Sequence, residues 1–95
     1  MKRNYELIVI FETEVKAEEK EKLLQFIKKT ISNSGAILEE KDWGKKELAY
    51  PVKKQRLGLF HWFNFTAESA AAVGLEKKLK LEEKILRYLL VKINK

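Results

Sequence analysis

The chain has 95 residues, 45% apolar and 36% charged, and twenty Lys and Arg against fourteen Asp and Glu leave a formal charge of +6. That length supports one hydrophobic core and not two, so residues 1–95 read as a single globular domain, and the excess of positive charge favours an anionic partner. With no cysteine, disulfides, thiolate metal sites and cysteine nucleophiles are excluded. No apolar run reaches the length of a membrane span, and no small-residue cleavage site follows Lys2 and Arg3, so the expected setting is cytoplasmic.

Tyr5 to Phe11 alternates as a strand: Tyr5, Leu7, Val9 and Phe11 on one side, Glu6, Ile8 and Ile10 on the other. Both sides are apolar apart from Glu6, which predicts a central strand. From Lys16 to Asn33 the period becomes helical, with Ala17, Leu23, Leu24, Ile27 and Ile31 on one stripe. Gly35 then stands where a helix C-cap takes a left-handed turn. Ala36 to Val52 is extended again, with a bulge or bend expected at Trp43-Gly44, and Pro51 pushes it to a sheet edge because it cannot donate a ladder hydrogen bond. Lys53 to Leu57 reads as a polar turn, Gly58 opens the next strand, and Leu59 to Phe65 alternates through it. Thr66 is the expected N-cap, with Glu68 in the first turn, of a helix to about Lys80 buried through Ala72, Leu75 and Leu79. Ile85 to Ile93 is the last strand.

The order β-α-β-β-α-β predicts an α+β, ferredoxin-like fold: a four-stranded antiparallel sheet in spatial order four-one-three-two, with both helices on one face. If Tyr5, Leu7, Val9, His61, Phe63, Phe65, Tyr88 and Leu90 face the helices, the other face receives Ile8, Ile10, Phe60, Trp62, Leu89 and Val91. Such a face is more apolar than water-exposed antiparallel sheets usually are. It predicts a protein partner or a homodimer, with Tyr50 of the edge strand as a further contact. An RNA-recognition motif uses the same face to stack bases, but after Gly58 this sequence has Leu59, then Phe60 where a small residue belongs. With few aromatics placed for stacking, RNA binding by the lone protein is expected to be weak.

No catalytic constellation emerges. His61, the single histidine, sits among aromatics as a core residue, and Glu39, Glu40 and Asp42 read as a solvated edge. No metal-ligand spacing or phosphate-cradling glycine loop occurs, so no metal, cofactor or small-molecule substrate is expected. The basic residues say more. Lys53, Lys54 and Arg56 lie at the hairpin turn, Lys45 and Lys46 ahead of it, Lys2 and Arg3 at the chain start, and Arg87 and Lys92 on the last strand. An isolated lysine pair serves equally to solubilise an edge strand. The hairpin group, beside aromatics and with few acids, points to phosphate.

The block Asp42-Trp43-Gly44-Lys45-Lys46-Glu47-Leu48-Ala49-Tyr50-Pro51-Val52, with Asn4-Tyr5-Glu6, Gly35 and Ile85-Leu86-Arg87-Tyr88, resembles bacterial small-subunit ribosomal protein six over essentially the whole chain. The resemblance implies a structural, non-enzymatic protein that pairs with small-subunit ribosomal protein eighteen and binds the central domain of small-subunit ribosomal RNA, in the platform. Lys45 and Lys46 depart from the arginines common in the family, and the sequence ends at Lys95 without the charged C-terminal tail of some relatives. The alternative from the residues is a self-associating ferredoxin-like enzyme or sensor.

Overall fold

The computed structural model describes residues 2–52 and 54–93. Its elements are β1 (Lys2–Glu12), α1 (Ala17–Ser34), β2 (Ala36–Val52), β3 (Gln55–Glu68), α2 (Ser69–Leu81) and β4 (Ile85–Ile93). The sheet order is β2-β3-β1-β4, every neighbour antiparallel, as the pattern requires. β1 and β3 pair in one unbroken register from Lys2 opposite Glu68 to Glu12 opposite Gly58. Because side chains alternate with period two, that register sends Tyr5, Leu7, Val9, Phe11, Phe63 and Phe65 to the same side. There they are buried with Leu24, Ile27 and Ile31 of α1 and Ala72, Leu75 and Leu79 of α2. The Tyr5 and Phe65 rings stack at 5.5 Å within this layer.

Three local expectations are corrected. Gly35 does not take a left-handed turn: its φ of −165° is extended. Its N–H donates to the Ile31 carbonyl at 2.8 Å, and a Cβ there would lie 1.8 Å from the Thr66 carbonyl oxygen. Glycine is needed because α1 ends against the backbone of β3. Second, Thr66 is not an N-cap. Its hydroxyl accepts the Ala36 N–H at 3.3 Å, and Ala67 beyond it is buried in the core. β3 therefore runs on to Glu68, and α2 starts at Ser69 with no side-chain cap from Glu68.

Third, the β2–β3 hairpin is tighter than a turn over 53–57. Val52 already pairs with Gln55, and Lys54 takes the left-handed conformation, φ 66°; Lys53 lies outside the described residues. The expected bulge at Trp43-Gly44 is present, as a register shift between Asp42 and Gly44 with Gly44 at φ 76°. A larger departure follows, the last of three register shifts along this pair. The ladder passes from Glu47 opposite Leu57 directly to Val52 opposite Gln55, leaving Leu48 to Pro51 without partners in β3.

Two glycine substitutions should separate close approach from helix propensity. Gly35→Ala drives a Cβ into backbone that cannot yield, and urea denaturation should show a loss of about 3 kcal/mol, the upper range for overpacking. Gly74→Ala, in exposed helix with nothing within 4 Å of the new methyl, should instead gain about 0.5–1 kcal/mol.

Candidate interaction surface

The face away from the helices is laid out by the same register. Leu89, Ile8 and Trp62 form one row across β4, β1 and β3, and Arg87, Ile10 and Phe60 form the next. Leu89 and Val91 are 52% and 45% exposed, whereas Ile10 is nearly buried at 9%; Ile8, Phe60 and Trp62 are half-buried. All six expected residues thus share this face, but Ile10 is its floor rather than its surface.

Beside Ile10 lies Leu48, the first residue of the unpaired stretch. A Cβ on Gly58 would meet Ile10 Cγ2 at 2.4 Å and Leu48 Cδ2 at 3.6 Å, so the bare backbone of Gly58 leaves room for both side chains. Further along the arch, the Tyr50 hydroxyl accepts a hydrogen bond from the Arg87 guanidinium, which also lies 5.5 Å from the Tyr50 ring centre. β2 and β4 are opposite edges of the sheet, about 14 Å apart at ordinary strand spacing, so this pair spans the sheet. Beneath it lies a trough of about 270 Å³ whose lining includes Ile8, Leu48, Val52, Phe60 and Leu89. Leu48 and Val52 belong to the surface although alternation along β2 gave no hint of it.

Trp43 was also missed as anything but a bulge residue. Its ring stacks on Trp62, centres 6.0 Å apart and planes 10° from parallel, and the Lys46 ammonium lies 5.0 Å over it. The Trp62 indole N–H donates to Glu6 at 3.1 Å. An exposed tryptophan two residues before a Lys-Lys pair is a signal that sequence reading can use once the bulge reverses the alternation.

The basic candidates fall into two groups. Lys45 and Lys46 pair with Leu59 and Gly58, placing them with Lys54, Arg56 and Arg87 at the hairpin end of the sheet. Lys2, Arg3 and Lys92 lie towards the other end, where Lys2 faces Glu68 and Lys92 faces Tyr5; measured along β1 at about 3.3 Å per residue, Lys2 is about 30 Å and Lys92 about 20 Å from the level of Lys45. Those eight are exposed; the ninth, Lys53, is outside the described residues.

On the helix side, His61 is buried at 6%, and its Nε2–H donates to Glu40 at 2.7 Å. Lys28 of α1 pairs with the same carboxylate at 3.1 Å, and Lys20 reaches Asp42 at 3.6 Å. Burial works against the Glu40 charge, but the His61 and Lys28 hydrogen bonds outweigh it and hold its carboxyl below its ordinary value of 4.5. Asp42 is also lowered, chiefly by the Gly44 N–H that it accepts at 2.8 Å. These groups pin β2 to α1; among the described residues no three His, Cys, Asp or Glu side chains are grouped to hold a metal.

Comparison with known proteins is consistent from end to end. The sequence profile described as ribosomal protein S6 matches residues 4–92. The small ribosomal subunit protein bS6 of Lactobacillus helveticus is 40% identical over 93 residues, covering 96% of this chain and 95% of its own. That of Geobacter sulfurreducens is 36% identical, covering 100% and 82%. The crystal structure of 30S ribosomal protein S6 from Thermotoga maritima superposes with a TM-score of 0.87 at 26% identity, over 98% of this chain and 89% of that one.

The Glu40 anchor has a pH signature. Its carboxyl is more acidic in the folded chain than in the unfolded one, so the stability it contributes is full above about pH 4.5 and is lost as pH falls through the folded value. Urea denaturation at stepped pH should show that fall, and Glu40→Gln, which cannot ionise, should make it shallower while lowering stability at neutral pH.

Proposed function

The chain belongs to the ribosomal protein S6 family, a structural family of the small ribosomal subunit and not an enzyme family, and on that premise we propose how it assembles. The uncovered sheet face docks small-subunit ribosomal protein eighteen, and the basic hairpin end contacts the central domain of small-subunit ribosomal RNA, in the platform. The observation that supports this most is the juxtaposition on one side of the sheet. An apolar surface of Ile8, Phe60, Trp62, Leu89 and Val91 adjoins a trough walled by Tyr50 and Arg87, with Lys46, Lys54 and Arg56 at its margin, while Lys45, opposite Leu59, stands on the helix side of the same strand.

The two halves of such a surface divide the work. Apolar residues gain by leaving water and supply attachment to a protein, with Ile10 supporting them from below. Lysines and arginines supply phosphate contacts that are independent of base sequence, so the RNA is recognised by shape and by the protein pair together. Lys2, Arg3 and Lys92, at the far end, reach a different stretch of RNA from the hairpin group if both are engaged. Lysine at 45 and 46 offers point charge rather than the two-pronged grip of arginine.

Two measurements test this reading. Trp62→Glu should abolish assembly with protein eighteen while circular dichroism shows the fold retained; undiminished assembly overturns the docking face. With about four phosphates engaged, raising salt from about 50 to 200 mM should weaken RNA binding on the order of 100-fold, and tight, salt-independent binding of the lone protein would overturn the electrostatic contact.

A further inference from the structure

We propose that Trp43 and Lys46 form a stacking site for one unpaired nucleobase of RNA, a role that rests on the RNA-binding reading above and names the chemistry of one contact within it. Among the described residues Trp43 lies outside the hydrophobic core cluster and is 38% exposed, yet it is held from two directions. The Asp42 carboxylate accepts the Gly44 N–H, closing a tight turn around Trp43 that Gly44 permits with its φ of 76°. Trp62 lies stacked against the indole, and Trp62 is itself tied to Glu6. A large flat side chain is thereby fixed at the surface at little further cost in rotamer entropy when a ligand arrives.

The chemistry around the ring selects the ligand. A nucleobase offers a planar π-face, and stacking on tryptophan tolerates any base. The Lys46 ammonium now lies over the ring. A base that takes this place leaves the ammonium beside the nucleotide's own phosphate, exchanging a cation–π contact for a charge-assisted one. Lys41 and Lys45 flank the same turn and are exposed. Asp42, next to Trp43 in the chain, is paired with Lys20 and so opposes a phosphate less than an unpaired carboxylate would. An apolar peptide would use the ring but not the lysines.

The test uses the full chain with protein eighteen and a central-domain ribosomal RNA fragment, comparing Trp43→Ala, Trp43→Phe and Lys54→Ala by fluorescence anisotropy over a salt series. Trp43→Ala should weaken RNA binding about tenfold at every salt concentration, leaving the salt slope unchanged, because a stack and not a charge is lost. Trp43→Phe should recover most of that loss, and Lys54→Ala should lower the slope. Unchanged RNA affinity in Trp43→Ala overturns the stacking site while leaving the RNA-binding reading intact. Loss of protein-eighteen assembly with RNA affinity preserved also overturns it, by assigning the indole to the protein contact. If the unsubstituted protein fails to bind the RNA, the reading beneath it falls as well.

Discussion

The antiparallel pairing of β1 with β3 is the constraint on which the remaining features depend. It holds one register through eleven residue pairs, and a slip by a single residue would exchange the two faces of the sheet. With the register fixed, Leu7, Val9, Phe11, Phe63 and Phe65 have nowhere to go but under the helices, where all are fully buried. Ile8, Phe60 and Trp62 are then committed to the other side. The helices supply no second layer there, so the same pairing that builds the core also leaves a partly uncovered apolar face.

That face is not left flat. Leu48 to Pro51 leave the ladder and fold over it, with Leu48 near Gly58 and Ile10 and Tyr50 against Arg87. Pro51 has no N–H to give to β3 in any case, so departure of this segment costs less than it would for four ordinary strand residues. The arch breaks up an edge that would otherwise invite strand pairing with another chain, and converts part of the exposed apolar surface into a trough. The surface offered to a partner therefore has relief: a depression between Phe60 and Leu89, an aromatic pair at Trp43 and Trp62, and lysines beside them.

Much of this was legible in the chain before its structure. β4 runs over Ile85–Ile93 and α2 is buried through Ala72, Leu75 and Leu79, because apolar periodicity reports local geometry and nothing nearby competes with it. The lysine-rich hairpin and the bulge at Gly44 were legible for the same reason. What escaped was set by contacts distant in sequence. Gly35 is the helix cap that the pattern suggests, but it looks left-handed until Thr66, some thirty residues on, is seen pressing against it. Thr66 looks like an N-cap until its hydroxyl is found already occupied by Ala36. The arch of Leu48 to Pro51 reads as plain strand, since the groups that draw it out of the ladder, Ile10, Gly58 and Arg87, lie on three other strands' worth of sequence. Trp43 was given a turn and not a surface because its stacking partner is Trp62.

On the proposed assembly, one side of this sheet meets the other components of the small subunit while the helix layer stays outside the contact. Amide hydrogen exchange, comparing the free chain with the chain assembled on protein eighteen and central-domain RNA, tests it most directly. New protection is expected in β4 around Leu89 to Val91, in Leu48 to Val52, and in the hairpin at Lys54 to Leu57, with α1 and α2 exchanging as before. New protection confined to α1 and α2, with β4 and the arch unchanged, would contradict it.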